Sequence, residues 1–213
     1  MHIPDGILPV PITAAGYAAT AVVTWYSVRK INKKENPRQD IPKASLLTAA
    51  FFVASWIHIP VPPTSVHLVL NGLLGAVLGY FAFLAILIGL FFQAVMFQHG
   101  GLTTLGVNAM IMGLPAIIAH YIFRLRKFGG EERRWKTGVF GFISGAIAVA
   151  MSVSMFVVIL LTNIPADLDI GTEQAAIYTL AIAHMPLIAI EGVITSLLAV
   201  FLQRVRPRIL DGV

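Results

Sequence analysis

Long apolar runs separated by short polar breaks dominate this chain. Each run approaches the ~20 residues that a helix needs to cross a bilayer. Seven spans are expected: roughly Thr13 to Val28, Ala44 to Ile59, Val66 to Tyr80, Phe81 to Phe97, Leu105 to Phe123, Thr137 to Leu161 and Ala175 to Leu202. The third and fourth share one continuous stretch, VHLVLNGLLGAVLGYFAFLAILIGLFFQAVMF, which holds two short crossings with a tight turn near Gly79. The pattern predicts an all-α polytopic membrane protein, with residues 1–213 forming a single integral membrane domain. The pairs Gly75/Gly79 and Gly141/Gly145 have the GxxxG spacing that lets helices pack closely.

Polar punctuation gives the bundle a direction. There are 15 Lys and Arg against 10 Asp and Glu, a formal net charge of +5. The cations fall in three groups: Arg29, Lys30, Lys33, Lys34, Arg38 and Lys43; then Arg124, Arg126, Lys127, Arg133, Arg134 and Lys136; then Arg204, Arg206 and Arg208. Seven crossings put all three groups on one side, and one span more or fewer would scatter them. The positive-inside rule makes that side the cytoplasm, with the N-terminus outside and the C-terminus inside. The basic excess is therefore orientation signal, and no nucleic-acid partner is expected. The other face carries the N-terminus, PVPPTSVH, QHGGLTTLG and an acidic loop with Asp167, Asp169 and Glu173. A mouth so poor in Lys and Arg favours approach of a cation, although the acidic loop also reads as an ordinary solvated connection.

Composition narrows the chemistry. Apolar residues make up 57% and charged residues 12%, about half the charged share of a soluble domain. There is no cysteine, which excludes disulfides, zinc ribbons and thiol catalysis. Metal ligands must then be nitrogen or oxygen, with methionine a weaker option. Neither a GxxxxGK[ST] phosphate loop nor an HExxH pair occurs, so ATP hydrolysis by a P-loop and zincin-type hydrolysis have no support. The N-terminus lacks a basic n-region and is expected to be a mature beginning rather than a cleaved signal.

Six histidines occur: His2, His58, His67, His99, His120 and His184. The first four map to the expected outer face. A free amine on Met1 followed directly by His2 offers three linked nitrogens: the amine, the His2 amide once deprotonated, and the His2 ring. Amine and amide close a five-membered chelate ring, and amide and ring nitrogen a six-membered one. Three linked nitrogens in a plane suit a square-planar ion, Ni(II) or Cu(II). His67 is the favoured fourth ligand, because it stands where the Pro-rich loop enters the third span; His58 and His99 are rivals. Asn71 and Gln93 are polar within spans, as interhelical hydrogen-bond partners often are. Glu191 is ionisable inside the last span, seven residues from His184 on the same helix face, which suggests a buried His–Glu pair.

Four stretches resemble the NikM/CbiM family, the substrate-capture subunits of energy-coupling-factor transporters for nickel and cobalt. MHIPDGILP resembles the family's start, SVHLVLNGLLG its second histidine segment, QAVMFQHGGLTTLGVNAMIMGLP its glycine-rich loop and following helix, and AHMPLIAIEGVIT its last helix. They occur in the family's order from Met1 to about Thr195. The resemblance implies metal ligation by Met1, His2 and His67. It implies loop closure around His99, Gly100 and Gly101, with Asn71 and Gln93 as candidate supports behind the ligands. It implies a six-helix core preceded by one extra N-terminal helix, in a prokaryotic cytoplasmic membrane. Ni(II) or Co(II) would be the transported substrate, with no organic cofactor; IPDG after His2 looks closer to nickel members. Implied partners are a membrane coupling subunit, two cytoplasmic ATPases and a small accessory membrane subunit, here expected as a separate chain. The protein would be a transporter subunit and not an enzyme. A stand-alone carrier coupled to protons through Glu191 and His184 is the alternative, and a membrane metalloenzyme a more distant one.

Overall fold

The computed structural model describes the chain apart from residues 1, 62–63, 129–132, 166–167 and 212–213. Among the described residues there are nine α-helices and one β-hairpin: α1 (Val10–Ile31), α2 (Ile41–Ala54), β1 (His58–Val61), β2 (Thr64–His67), α3 (Asn71–Leu78), α4 (Phe81–Phe97), α5 (Leu105–Arg124), α6 (Arg134–Leu161), α7 (Ile170–Ala183), α8 (Met185–Val205) and α9 (Arg208–Asp211). Three stretches are long and apolar enough to cross a membrane: Leu105–Lys127, Arg134–Leu161 and Ile170–Val205, with Phe81–Phe97 shorter but apolar.

The expected spans at Phe81 to Phe97, Leu105 to Phe123 and Thr137 to Leu161 fall on α4, α5 and α6, and the first lies inside α1. Three elements differ. Ala44 to Ile59 is helical only to Ala54, where α2 ends, and its last residues enter β1. Val66 to Tyr80 is not one helix: it begins in β2, which pairs antiparallel with β1 (His58 opposite His67), passes through Leu68–Leu70, and becomes helical only at Asn71. The cause is an acceptor from another helix. The Glu191 carboxylate takes hydrogen bonds from the backbone N–H of Val69 (2.5 Å) and of Leu70 (3.0 Å to Oε1). Extended backbone survives at this depth only when its donors are satisfied within the protein. Leu70 adopts a left-handed conformation (φ 53°) where α3 starts.

The last expected span, Ala175 to Leu202, is two helices. α7 ends and α8 begins at His184, with Pro186 in the first turn of α8, where its missing N–H costs no intrahelical bond. His184 and Glu191 therefore form no pair: His184 Nδ1–H donates to Leu180 O (2.7 Å), and Glu191 is engaged with Val69 and Leu70.

All eight residues of α3 are buried, and α3 packs against α4, α5, α6 and α8. Small residues permit this. A Cβ on Gly75 would lie 2.0 Å from Ala116 O, and one on Gly145 2.6 Å from Glu191 O. Gly79 instead makes the turn into α4 (φ 60°, ψ −127°), a conformation open mainly to glycine. α1 lies to one side, against α5 and α4.

Candidate metal-binding site

The chain's first residues enter the bundle instead of trailing from it. Ile3 is fully buried. Its N–H donates to Asn108 Oδ1 (2.9 Å), and its carbonyl accepts from Asn108 Nδ2 (3.0 Å) and Thr104 Oγ (2.6 Å). One asparagine at the start of α5 thus reads both backbone groups of Ile3, as a neighbouring strand would. Two residues on, the Asp5 carboxylate accepts from the N–H groups of Leu102 (3.1 Å) and Thr103 (2.8 Å). These bonds lower the Asp5 pKa below its ordinary value, the Thr103 side-chain bond most. The loop comes close enough only because residue 101 is glycine: a Cβ there would meet Asp5 Oδ1 at 2.0 Å. Tyr17 adds a hydrogen bond to Leu102 O.

This anchoring delivers His2 to two other histidines. Ring centroids are 4.1 Å apart for His2 and His99, 5.2 Å for His2 and His67, and 5.2 Å for His67 and His99. One ring nitrogen from each lies within 4.8 Å of the other two, close enough to share one ion after small side-chain rotations.

The hydrogen bonds decide which nitrogens carry lone pairs. His2 Nε2–H donates to Gln93 Oε1 (2.9 Å), leaving the lone pair on Nδ1, since the two ring nitrogens are complementary in a neutral imidazole. Nδ1 is the atom that closes a six-membered chelate with the residue's own amide nitrogen. His2 Nδ1, Gln93 Nε2 and His99 Nε2 are buried without a hydrogen-bond partner, and such atoms call for an explanation such as a ligand. His67 Nδ1–H donates to Leu68 O (2.9 Å), which puts its lone pair on Nε2. Burial, the largest cause, holds all three rings below the ordinary imidazole pKa; neighbouring histidines add to it for His2 and His67. His2 lies well below 6.5, and His67 falls to about 3.

Other expected residues are distributed as follows. Met1 lies outside the described residues. His58 is exposed on β1, 6.2 Å from His67 between ring centres, and outside the trio. Asn71 Nδ2 donates to Met112 O (3.2 Å) and Ser152 Oγ (2.8 Å), joining α3 to α5 and α6. Of the acidic loop, Asp167 lies outside the described residues and Asp169 caps α7 by accepting from Thr172 N–H (2.8 Å). Glu173 lines a cavity of about 150 Å³ that also reaches His2. Asn108, Thr104 and Asp5 had no place in the sequence reading. Their signals were an asparagine in an apolar span and the lone carboxylate of the first 34 residues.

Residues 2–209 match the family model described as CbiM, cobalt uptake substrate-specific transmembrane region. A putative metal transport protein of Haemophilus influenzae is 34% identical over 218 residues, covering 99% of this chain and 97% of that one. A fused nickel transport protein, NikMN, of Rhodobacter capsulatus is 31% identical over 223 residues, which are 99% of this chain and 64% of the fused protein. The crystal structure of a transition metal transporter is similar with a TM-score of 0.74 at 25% identity, over 96% of this chain and 93% of that one.

Proposed function

This chain belongs to the CbiM family of cobalt-uptake transmembrane proteins, and from that premise we propose that it captures Ni(II) at the outer membrane face for an ATP-driven energy-coupling-factor transporter. The observation that carries the reading is the convergence of His2, His67 and His99, with His2 Nδ1 buried and unpartnered. Three donors are the Met1 amine, the deprotonated His2 amide and His2 Nδ1. His67 Nε2 supplies the fourth planar position, and His99 closes the site from the side. Gln93 sets the His2 tautomer. A planar set of four nitrogens favours Ni(II) over Co(II), because geometry selects among ions that nitrogen binds readily.

The chain performs no covalent chemistry in this reading. A membrane coupling subunit and two cytoplasmic ATPases drive release to the inside, and a small accessory membrane subunit completes the assembly. Proton-coupled transport through Glu191 loses its motive, since that carboxylate is occupied with Val69 and Leu70.

Blocking the amine tests the chelate. Extending the N-terminus by three residues should lower Ni(II) affinity by roughly a hundredfold or more, the scale on which a lost ligand or its support acts. His67→Ala should do the same, measured by calorimetry on the purified protein. Full affinity in the extended protein would reject the clamp, and full affinity in H67A would transfer the fourth position to His99.

A further inference from the structure

Six cations from separate stretches meet at the end of the bundle opposite His2, His67 and His99. Lys30, Lys33, Lys34, Arg124, Lys127 and Arg208 line an open cavity of about 980 Å³. The carboxylates in its lining are Glu35 and Asp40, so six positive charges face two negative ones. Lys34 and Lys43 both engage Asp40, at 3.0 and 3.1 Å. His120 lines the same cavity at 2% exposure, and neither of its ring nitrogens has a hydrogen-bond partner. Positive charge gathered in a concave, low-dielectric wall draws an anion.

A second, apolar cavity of about 530 Å³ runs between α2 and α4, past Phe52 and Phe92 to Met96. Its lining begins one residue along the chain from that of the first. Ile41 follows Asp40 in the chain, and Phe81 follows Tyr80. Lys34 Nζ stands 5.9 Å from the centre of the Phe81 ring, so a cation of one cavity lies over the wall of the other.

We propose that the two cavities form one site for an anionic phospholipid. The phosphodiester lies among Lys33, Lys34 and Arg208, with His120 behind it, and one acyl chain fills the α2–α4 groove. Basic pockets between membrane helices take headgroups of this kind. The basic cavity alone would suit a free phosphate and the groove any alkyl chain; side by side, with Lys34 over the Phe81 wall, they fit a lipid.

Native mass spectrometry of the full chain in detergent tests this with dioleoyl phosphatidylglycerol, dioleoyl phosphatidylcholine and inorganic phosphate as probes. The phosphatidylglycerol adduct should be roughly tenfold or more tighter than the phosphatidylcholine adduct. Lys33→Gln with Arg208→Gln should lower phosphatidylglycerol affinity by a similar factor. Ala49→Trp, which fills the groove, should also lower it, with circular dichroism verifying helical content. Equal binding of the two lipids by the unaltered protein overturns the proposal. So does displacement of phosphatidylglycerol by millimolar phosphate, which would make this a site for free phosphate, or full lipid affinity in A49W, which would take the acyl chain out of the groove.

Discussion

His2 and His67 each commit a ring nitrogen to the protein, His2 Nε2 to Gln93 and His67 Nδ1 to Leu68 O. Burial lowers the pKa of both rings, that of His67 to about 3. Proton competition for the rings is thereby weakened between pH 5.5 and 7. In the proposed chelate only the Met1 amine and the His2 amide must give up protons in that window. Binding of Ni(II) should then release about two protons, and affinity should fall about a hundredfold for each pH unit lowered. Calorimetry in buffers of different ionisation heat gives the count. Three or four protons would mean that the rings titrate normally and that the buried arrangement is wrong. The chelate proposed at His2 was legible in the sequence, because a chelate is a matter of adjacent atoms. Asn108, Thr104 and Asp5 were not, because their partners lie about a hundred positions away and no local spacing records such a pairing. Gln93 stood between: a glutamine inside a span announces a hydrogen bond but not its partner.

Among the elements, the segment between β2 and α3 carries the largest departure from the hydropathy pattern. An apolar run of the right length reads as a helix. Here its first part is held extended, placing His67 beside His2, and the holding group sits on α8. Glu191 thus serves the site through His67. Glu191→Ala leaves two buried N–H groups without an acceptor, at about 1–3 kcal/mol each, and should destabilise the protein by about 2–5 kcal/mol in urea or thermal unfolding. Glu191→Gln, which keeps one carbonyl acceptor, should lose less. An unchanged midpoint for E191A would show that Val69 and Leu70 find other acceptors. The hairpin and the break at His184 were hidden for the same reason. Hydropathy records whether a residue is apolar, whereas the direction of the backbone was decided here by Pro186 and by a carboxylate on another helix. Helices α4, α5 and α6 were legible because each is continuous, apolar and bounded by glycines or charges.

At the scale of the molecule, His2, His67 and His99 lie at one end and Lys30, Lys34, Arg124, Lys127 and Arg208 together at the other. Members of all three expected basic groups thus line one cavity, and the third expected span is an extended segment joined to a short helix. In the proposed orientation, the basic end faces the cytoplasm and the metal site lies at the end poor in cations, which fits inward transport under the positive-inside rule. Everything in this account turns on the metal being held in a plane of four nitrogens that starts at the chain's own amine. Electronic absorption and paramagnetic NMR of the Ni(II)-loaded protein measure that directly. The account predicts a diamagnetic, low-spin ion with a single strong d–d band and sharp proton resonances, lost when the N-terminus is extended. A paramagnetic ion with widely shifted imidazole resonances, unaffected by that extension, would contradict it.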